Sequence, residues 1–245
     1  MPPLTTTIFA IGGGELAELE TLAIDKQIVA AAKARHNCNK SQPHALFIPT
    51  ASGDDPEYYE TFVNIYGRKL GCATDVLYLY GGVTSKVVIA KKIGWCDFVY
   101  VGGGSTPSMM RMWRKNGVDR LLEKAWKKGM VMAGLSAGAN CWFSLGLSNA
   151  YENRWTAVRC LGLVNLACNV HYSTERGRKK AYNRLIAKNK IAGIALEDNA
   201  CIKITNDRYD IIKSRKIAKV FKVVYRQNTA KRFELVKNGL LKDLQ

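Results

Sequence analysis

The sequence lacks any apolar run near the ~20 residues that a membrane-spanning helix needs. Its opening segment, MPPLTTTIFAIGGGEL, also lacks a basic stretch followed by a long apolar one, which a secretory signal would show. No linker, repeat or low-complexity stretch divides the chain. These absences predict a cytoplasmic protein with no membrane segment, folded as a single domain over residues 1–245.

Metal-binding and disulfide patterns are missing as well. The seven cysteines include no CxxC pair, and none has a histidine partner at metal-ligand spacing. An odd number of scattered cysteines favours free, mostly buried thiols in a reducing compartment. We therefore expect no metal site and no disulfide framework.

Acidic residues are scarce: 20 against 37 basic residues, which gives a formal net charge of +17. Such a charge is typical of proteins that bind nucleic acid. However, the lysines and arginines are spread along the chain in pairs and do not gather in a tail. A solvated basic surface that attracts acidic substrates is therefore favoured, and nucleic-acid binding is the alternative.

Apolar runs alternate with helical patterns as far as residue 145. Five runs predict buried strands: TIFAI (7–11), HALFIPT (44–50), TDVLYLY (74–80), DFVYVGGG (97–104) and MVMAGL (130–135). This alternation predicts an α/β fold, a parallel sheet flanked by helices. Beyond it we expect a polar loop over 144–158, an apolar stretch that ends before His171, a helix from Arg178 and short strands.

A serine follows the fifth predicted strand. Gly134, Ser136 and Gly138 form the G-x-S-x-G pattern of a nucleophile elbow, in which small neighbours let a strained strand-to-helix turn expose the nucleophile. The amide of Ala137, at the start of the next helix, can donate to an oxyanion. Ser136 is therefore the predicted nucleophile.

A serine nucleophile needs a base, and the chain has three histidines. His36 lies in a polar segment after the first predicted helix, and His44 opens the second strand at the opposite edge of the sheet. His171 ends an apolar stretch and precedes a polar turn, which places it at the carboxyl edge near Ser136. His171 is therefore the predicted base.

The glycine-rich segment VGGGST follows the fourth predicted strand and lacks the G-x-G-x-x-G spacing of a dinucleotide site. We expect Gly103 or Gly104 to donate a backbone N–H to the oxyanion beside Ala137. Phosphate binding by this loop is the alternative.

Four segments, FVYVGGGST, GLSAGANCWF, NVHYSTERGR and GIALEDNACI, together resemble the serine peptidase family of aspartyl dipeptidase (peptidase E), to which cyanophycinase is related. The resemblance runs from about Phe98 to Ile204, and AIGGGE and FIPTAS extend it toward the amino terminus. It implies a fold similar to class I glutamine amidotransferases, a Ser-His-acid triad without a cofactor, and a small peptide substrate with an amino-terminal aspartate. It places the nucleophile at Ser136, the base at His171, and the oxyanion donors at Gly104 and Ala137.

The sequence departs from this family at two places. The glycine loop of the family continues with asparagine, and here the residue is Ser105, which we expect to bind substrate together with Gly103. The third triad member of the family lies in a GLSDS-like segment, which here reads GLSNA with Asn149. Glu152 is the nearest carboxylate before His171, so we predict Glu152 as the acid and Asn149 as a weaker orienting group.

An acidic substrate side chain needs a cation, and a guanidinium grips a carboxylate with two hydrogen bonds. Alignment with the substrate arginine of the family favours Arg178 over Arg176, and the alternative is a solvated helix start. Two other functions stay open: an amidohydrolase acting on isoaspartyl or cyanophycin-like substrates, and a weakened relative that binds an acidic peptide or nucleic acid. The oligomeric state is open too, with a homodimer as one outcome.

Overall fold

The computed structural model describes residues 4–35, 42–82, 84–151 and 154–245. The strands are β1 (Thr7–Ile11), β2 (His44–Ile48), β3 (Ala73–Val76), β4 (Phe98–Val101), β5 (Val131–Leu135), β6 (Phe143–Tyr151), β7 (Arg154–Arg159), β8 (Val164–Asn169), β9 (Gly193–Leu196), β10 (Ala200–Thr205), β11 (Arg208–Lys213), β12 (Val220–Arg226), β13 (Thr229–Glu234) and β14 (Gly239–Leu240).

The α-helices are α1 (Leu22–Ala34), α2 (Pro56–Phe62), α3 (Lys86–Trp95), α4 (Thr106–Asn116), α5 (Val118–Lys127), α6 (Ala137–Asn140) and α7 (Arg178–Asn189). Short 3₁₀ turns span Thr50–Ser52 and Leu241–Leu244, and α2 continues as a π-helix over Val63–Lys69. Among the described residues, no helix is both long and apolar enough to cross a membrane.

The first sheet has eight strands in the order β14-β11-β10-β1-β5-β4-β2-β3. Strands β1 to β5 pair in parallel, as predicted, whereas β10, β11 and β14 extend the sheet with antiparallel pairing. Strands β1, β4 and β5 are buried along their whole length. They read as continuous apolar runs because helices cover both faces of a parallel sheet.

Local signals set the ends of the helices. α4 and α5 separate at Gly117, whose φ of 75° favours glycine. α2 begins at Pro56 after Asp55, whose side chain accepts from the amides of Glu57 and Tyr58. The predicted third strand is shorter than expected and ends at Val76.

The second sheet has six strands in the order β13-β12-β9-β8-β6-β7. The polar loop expected over 144–158 is wrong, because most of this segment pairs as the antiparallel strands β6 and β7. β7 lies at the edge of the sheet with mostly exposed side chains, so its composition is that of a loop. The chain leaves this sheet at the end of β9 and enters the first sheet at β10, through residues 197–199.

Candidate active site

Ser136 lies in a sharp turn between β5 and α6. Its φ of 56° and ψ of −112° are unusual for a residue with a side chain, and its N–H donates to the carbonyl oxygen of Ile11 at 3.0 Å. The two flanking glycines are required because there is no room for a Cβ atom at either position. A Cβ on Gly134 would lie 2.1 Å from the carbonyl oxygen of Gly138, and one on Gly138 would lie 2.1 Å from that of Val101. The turn therefore closes only with glycine at both positions.

A hydrogen-bonded chain runs from this serine to a carboxylate. Nε2 of His171 lies 2.8 Å from Oγ of Ser136, and Nδ1 of His171 lies 2.6 Å from Oδ1 of Asp198. The imidazole tautomer that satisfies both contacts carries its proton on Nδ1, which leaves Nε2 free to accept from the serine hydroxyl. The sequence prediction that His171 lies near Ser136 agrees with this geometry.

The carboxylate at His171 was not the predicted one. Asn149 does not contact His171; its Nδ2 donates to Oε2 of Glu175 at 3.1 Å. Glu152 lies outside the described residues. Asp198 was not predicted, because both residues predicted for this role, Asn149 and Glu152, precede His171 in the chain. The signal was present: Asp198 follows the apolar run GIAL, which forms β9, and β9 pairs in parallel with the strand that leads to His171.

The environment of Asp198 favours its ionised form. Burial opposes ionisation, but the hydrogen bond and charge of His171, with smaller contributions from Thr174 and Arg178, lower the pKa of Asp198 below its ordinary value. Asp198 is therefore a carboxylate near neutral pH, able to orient the imidazole and to stabilise its protonated form.

The loop after β1 holds all three residues through its backbone. The carbonyl oxygens of Ile11 and Gly12 accept from the amides of Ser136 and His171, each at 3.0 Å. The carbonyl of Gly13 accepts from Asn199, the neighbour of Asp198, at 2.9 Å. A Cβ on Gly13 would lie 2.0 Å from Oδ1 of Asp198 and 2.6 Å from Nδ1 of His171. The sequence alone predicted no role in the site for this glycine-rich segment.

A cavity of about 340 Å³ opens in front of Ser136 and His171. Gly103 lines it, and a Cβ there would lie 3.4 Å from Cβ of Ser136, so the VGGGST loop is beside the serine as predicted. The amide of Gly103 donates to the hydroxyl of Tyr58 at 3.3 Å. Ala137 begins α6, so its amide has no acceptor within the helix.

Two other predicted residues of this loop are placed differently. Gly104, with φ of 131°, packs against the backbone of Ala51 and is not among the described residues that line this cavity. The Ser105 hydroxyl accepts from the amide of Ser108 at 3.3 Å and caps α4. The prediction that Ser105 binds substrate is therefore not supported, because its side chain is used to begin a helix.

Arg178 is not positioned to bind a substrate carboxylate, contrary to the prediction. Its side chain is only 3% exposed, and Nη2 pairs with Glu175 at 2.9 Å. Nη1 donates to Oδ1 of Asn169 at 3.0 Å, and the guanidinium lies over the ring of Trp155, 4.7 Å from its centre. The alternative of a solvated helix start is wrong as well, because this arginine is buried.

The described residues contain no group of three histidine, cysteine, aspartate or glutamate side chains that could hold a metal ion. The six described cysteines are all free, and five of them are buried. The expectation of free, mostly buried thiols is thus confirmed for these six.

Comparisons with known proteins show that the chain is similar to peptidases. The model of peptidase family S51 matches residues 8–212. An uncharacterized peptidase, YgaJ of Bacillus subtilis (strain 168), is 34% identical over 220 residues, which cover 89% of this chain and 91% of that protein.

Two solved structures share the fold. A peptidase from an acI-B1 Actinobacterium has a TM-score of 0.69 at 15% identity and covers 97% of this chain and 98% of its own. A candidate peptidase E from Listeria monocytogenes EGD-e has a TM-score of 0.62 at 19% identity and covers 85% of this chain and 98% of its own. The expected likeness to class I glutamine amidotransferases stays a prediction. The chain belongs to peptidase family S51 and is a serine-type peptidase.

Proposed function

We propose that this peptidase hydrolyses short peptides through an acyl-enzyme, with Ser136 as nucleophile, His171 as general base and Asp198 as the orienting acid. The observation that carries the proposal is the unbroken chain of contacts at 2.8 Å and 2.6 Å that links these three side chains beside a cavity. The positive φ of Ser136 and the glycines around it support its assignment as a nucleophile elbow.

The chemistry follows from these positions. Oγ of Ser136 attacks the scissile carbonyl carbon while Nε2 of His171 takes the hydroxyl proton. The tetrahedral intermediate collapses as His171 gives that proton to the leaving amine, which breaks the C–N bond and leaves an ester on Ser136. A water then attacks the ester with His171 again as base, and the released serine oxygen takes the proton back.

The negative charge that develops on the carbonyl oxygen needs donors. Ala137 is the proposed first donor because its amide lies at the amino end of α6, where no helix carbonyl can accept from it. Gly104 is the proposed second donor: it packs against Ala51 and does not line the cavity, but its amide has no backbone acceptor within the described residues, whereas the amide of Gly103 donates to Tyr58.

The size of the cavity supports a short substrate, since about 340 Å³ is at the small end of ligand sites. The predicted specificity for an amino-terminal aspartate loses support, because Arg178, the residue predicted to bind the aspartate side chain, is buried and paired with Glu175. A weakened relative that only binds its ligand is less well supported, because Asp198 lies 2.6 Å from Nδ1 of His171 and can serve as the acid.

The test is labelling by a fluorophosphonate probe together with hydrolysis of a dipeptide panel that varies the first residue. Wild type should react with the probe and cleave at least one dipeptide. Ser136→Ala should do neither, whereas Ser144→Ala, which removes a hydroxyl outside this cavity, should do both. Probe labelling and turnover that survive in Ser136→Ala would remove this serine from the mechanism.

A further inference from the structure

We propose that Glu15 binds a positively charged group of the peptide held at Ser136, and thereby selects cationic substrates over acidic ones. The group is either the α-ammonium of the peptide or a basic side chain. The inference rests on the proposed function of Ser136 and names the substrate class of that same site.

Glu15 is placed where a bound peptide would meet it. It follows the glycine loop after β1 and lines the same cavity as Ser136 and His171. It also lines a second cavity, of about 400 Å³, on the Asp198 side of His171. Burial raises the pKa of the Tyr58 hydroxyl to about 12, and the negative charge of Glu15 adds to this increase. Tyr58 lines the cavity at Ser136 as well, and its hydroxyl accepts from the Gly103 amide at 3.3 Å.

Other carboxylates around the two cavities already have partners. Glu20 forms an ion pair with Arg215, and Asp198 is held by His171. Glu197 accepts from the hydroxyl of Ser173 and from the amide of Lys219.

The Glu15 side chain, by contrast, has no hydrogen-bond or ion-pair partner within residues 4–35, 42–82, 84–151 and 154–245. Its negative charge is uncompensated by the protein, so it is available to a ligand.

The cavity at Ser136 also lacks a competing cation. None of its described lining residues is a lysine or an arginine, although the chain carries a net charge of +17. The arginine of the second cavity, Arg215, is paired with Glu20. The overall charge of the protein therefore attracts anions, but the local charge beside the nucleophile is negative and favours cations.

The Glu15 loop is held in place before substrate binds. The Glu15 amide donates to Oε2 of Glu20 at 2.9 Å, and the Glu20 amide donates to the Glu15 carbonyl at 3.2 Å. The ion pair with Arg215 fixes the other oxygen of Glu20. A carboxylate on such an ordered loop binds a cation with little further loss of conformational freedom.

The experiment compares kcat/KM of wild type, Glu15→Gln and the matched control Glu18→Gln, an exposed residue that lines neither cavity. Four dipeptide substrates share alanine as the second residue and begin with lysine, norleucine, N-acetyl-norleucine or aspartate. The ratio of lysine to norleucine reports a basic side chain. The ratio of norleucine to N-acetyl-norleucine reports the α-ammonium.

We expect wild type and Glu18→Gln to favour the charged member of at least one pair by about 10- to 100-fold, the range of a charge-assisted hydrogen bond. Glu15→Gln should lose this preference, mainly through KM, and should gain on the aspartate substrate relative to norleucine. Labelling by the fluorophosphonate probe should stay as fast as in wild type.

Two failures are distinguishable. If Ser136→Ala keeps hydrolysing these dipeptides, the proposed function fails and the role of Glu15 fails with it. If Ser136 is required but Glu15→Gln leaves both ratios unchanged, or wild type cleaves the aspartate substrate best, the proposed function stands and the role of Glu15 is overturned.

Discussion

The backbone N–H of His171 donates to the carbonyl oxygen of Gly12 at 3.0 Å, which ties the proposed base to the loop after β1. The next residue, Gly13, passes so close to the imidazole that only hydrogen atoms fit on its α-carbon. The glycine-rich segment after β1 thus positions the residues of the proposed triad.

Gly13→Ala is expected to damage catalysis more than folding. The added methyl would displace the side chains of Asp198 and His171, and a shift of about 1 Å at reacting groups costs about 100-fold in rate. The measurement is kcat together with circular dichroism. Gly94→Ala, where a Cβ meets nothing within 4 Å, is the control and should keep full activity. A fully active Gly13→Ala enzyme would contradict this positioning role.

Asp198→Asn is expected to lower kcat by about four orders of magnitude, because an amide in place of the acid costs that much in chymotrypsin-type serine proteases. Asn149→Asp should give no increase, since Asn149 contacts Glu175 and not His171. Steady-state kinetics of both variants measure these changes in kcat. An increase in kcat for Asn149→Asp, with little loss for Asp198→Asn, would return the orienting role to position 149.

Arg178→Met is expected to destabilise the protein without changing its substrate preference. The buried guanidinium pairs with the partly exposed Glu175 and donates to Asn169, and the loss of these contacts costs on the order of 1 to 3 kcal/mol. Denaturant unfolding gives the change, and the KM for aspartyl against neutral dipeptides gives the preference. The exposed Arg176→Met is the control and should stay within about 0.5 kcal/mol of wild type. A selective rise in KM for aspartyl dipeptides would restore Arg178 as a substrate anchor.

Asp25→Asn is expected to change how stability depends on pH. Burial raises the pKa of Asp25 from 3.8 to about 6, although hydrogen bonds from Tyr66 and Thr21 oppose this increase. The unfolded chain therefore releases this proton at lower pH than the folded one, and stability falls as pH rises from about 4 to 6.

Asparagine cannot ionise, so the Asp25→Asn substitution removes this pH-dependent loss of stability. Relative to wild type, Asp25→Asn should gain about 2 kcal/mol in unfolding free energy between pH 4 and pH 7. Urea unfolding at both pH values measures the gain, with the exposed Asp207→Asn as the control for loss of one carboxylate. An identical gain in both variants would mean that Asp25 is ionised in the folded protein over the whole range.

Much of the amino-terminal half was predictable because buried parallel strands are continuous apolar runs. β1 matches its prediction from Thr7 to Ile11, and the turn at Ser136 follows β5 as expected. The strands β6 and β7 were not predicted, since an edge strand with exposed side chains has the composition of a loop.

A site residue could be predicted when its residue type is rare in the chain or when its neighbours follow a specific spacing. Ser136 stood out through its glycines, and His171 because two other histidines could be placed elsewhere. Asp198 and Arg178 were not predictable in the same way. The run GIAL before Asp198 was a signal, but it is the pairing of β9 with β8 that brings this carboxylate to the imidazole, and no local pattern records that pairing. The burial of Arg178 depends in the same way on its packing against Trp155.

The site draws on both sheets: Ser136 follows β5 of the first, His171 follows β8 of the second, and Asp198 lies where the chain crosses from β9 to β10. Strand β10 in turn pairs with β1, nearly two hundred residues earlier in the chain. Contacts of such sequence separation form late in folding. A chain still on the ribosome, with β10 not yet made, holds its serine and histidine without the acid that orients them. We therefore expect the proposed triad to be complete only once β10 has folded back onto β1.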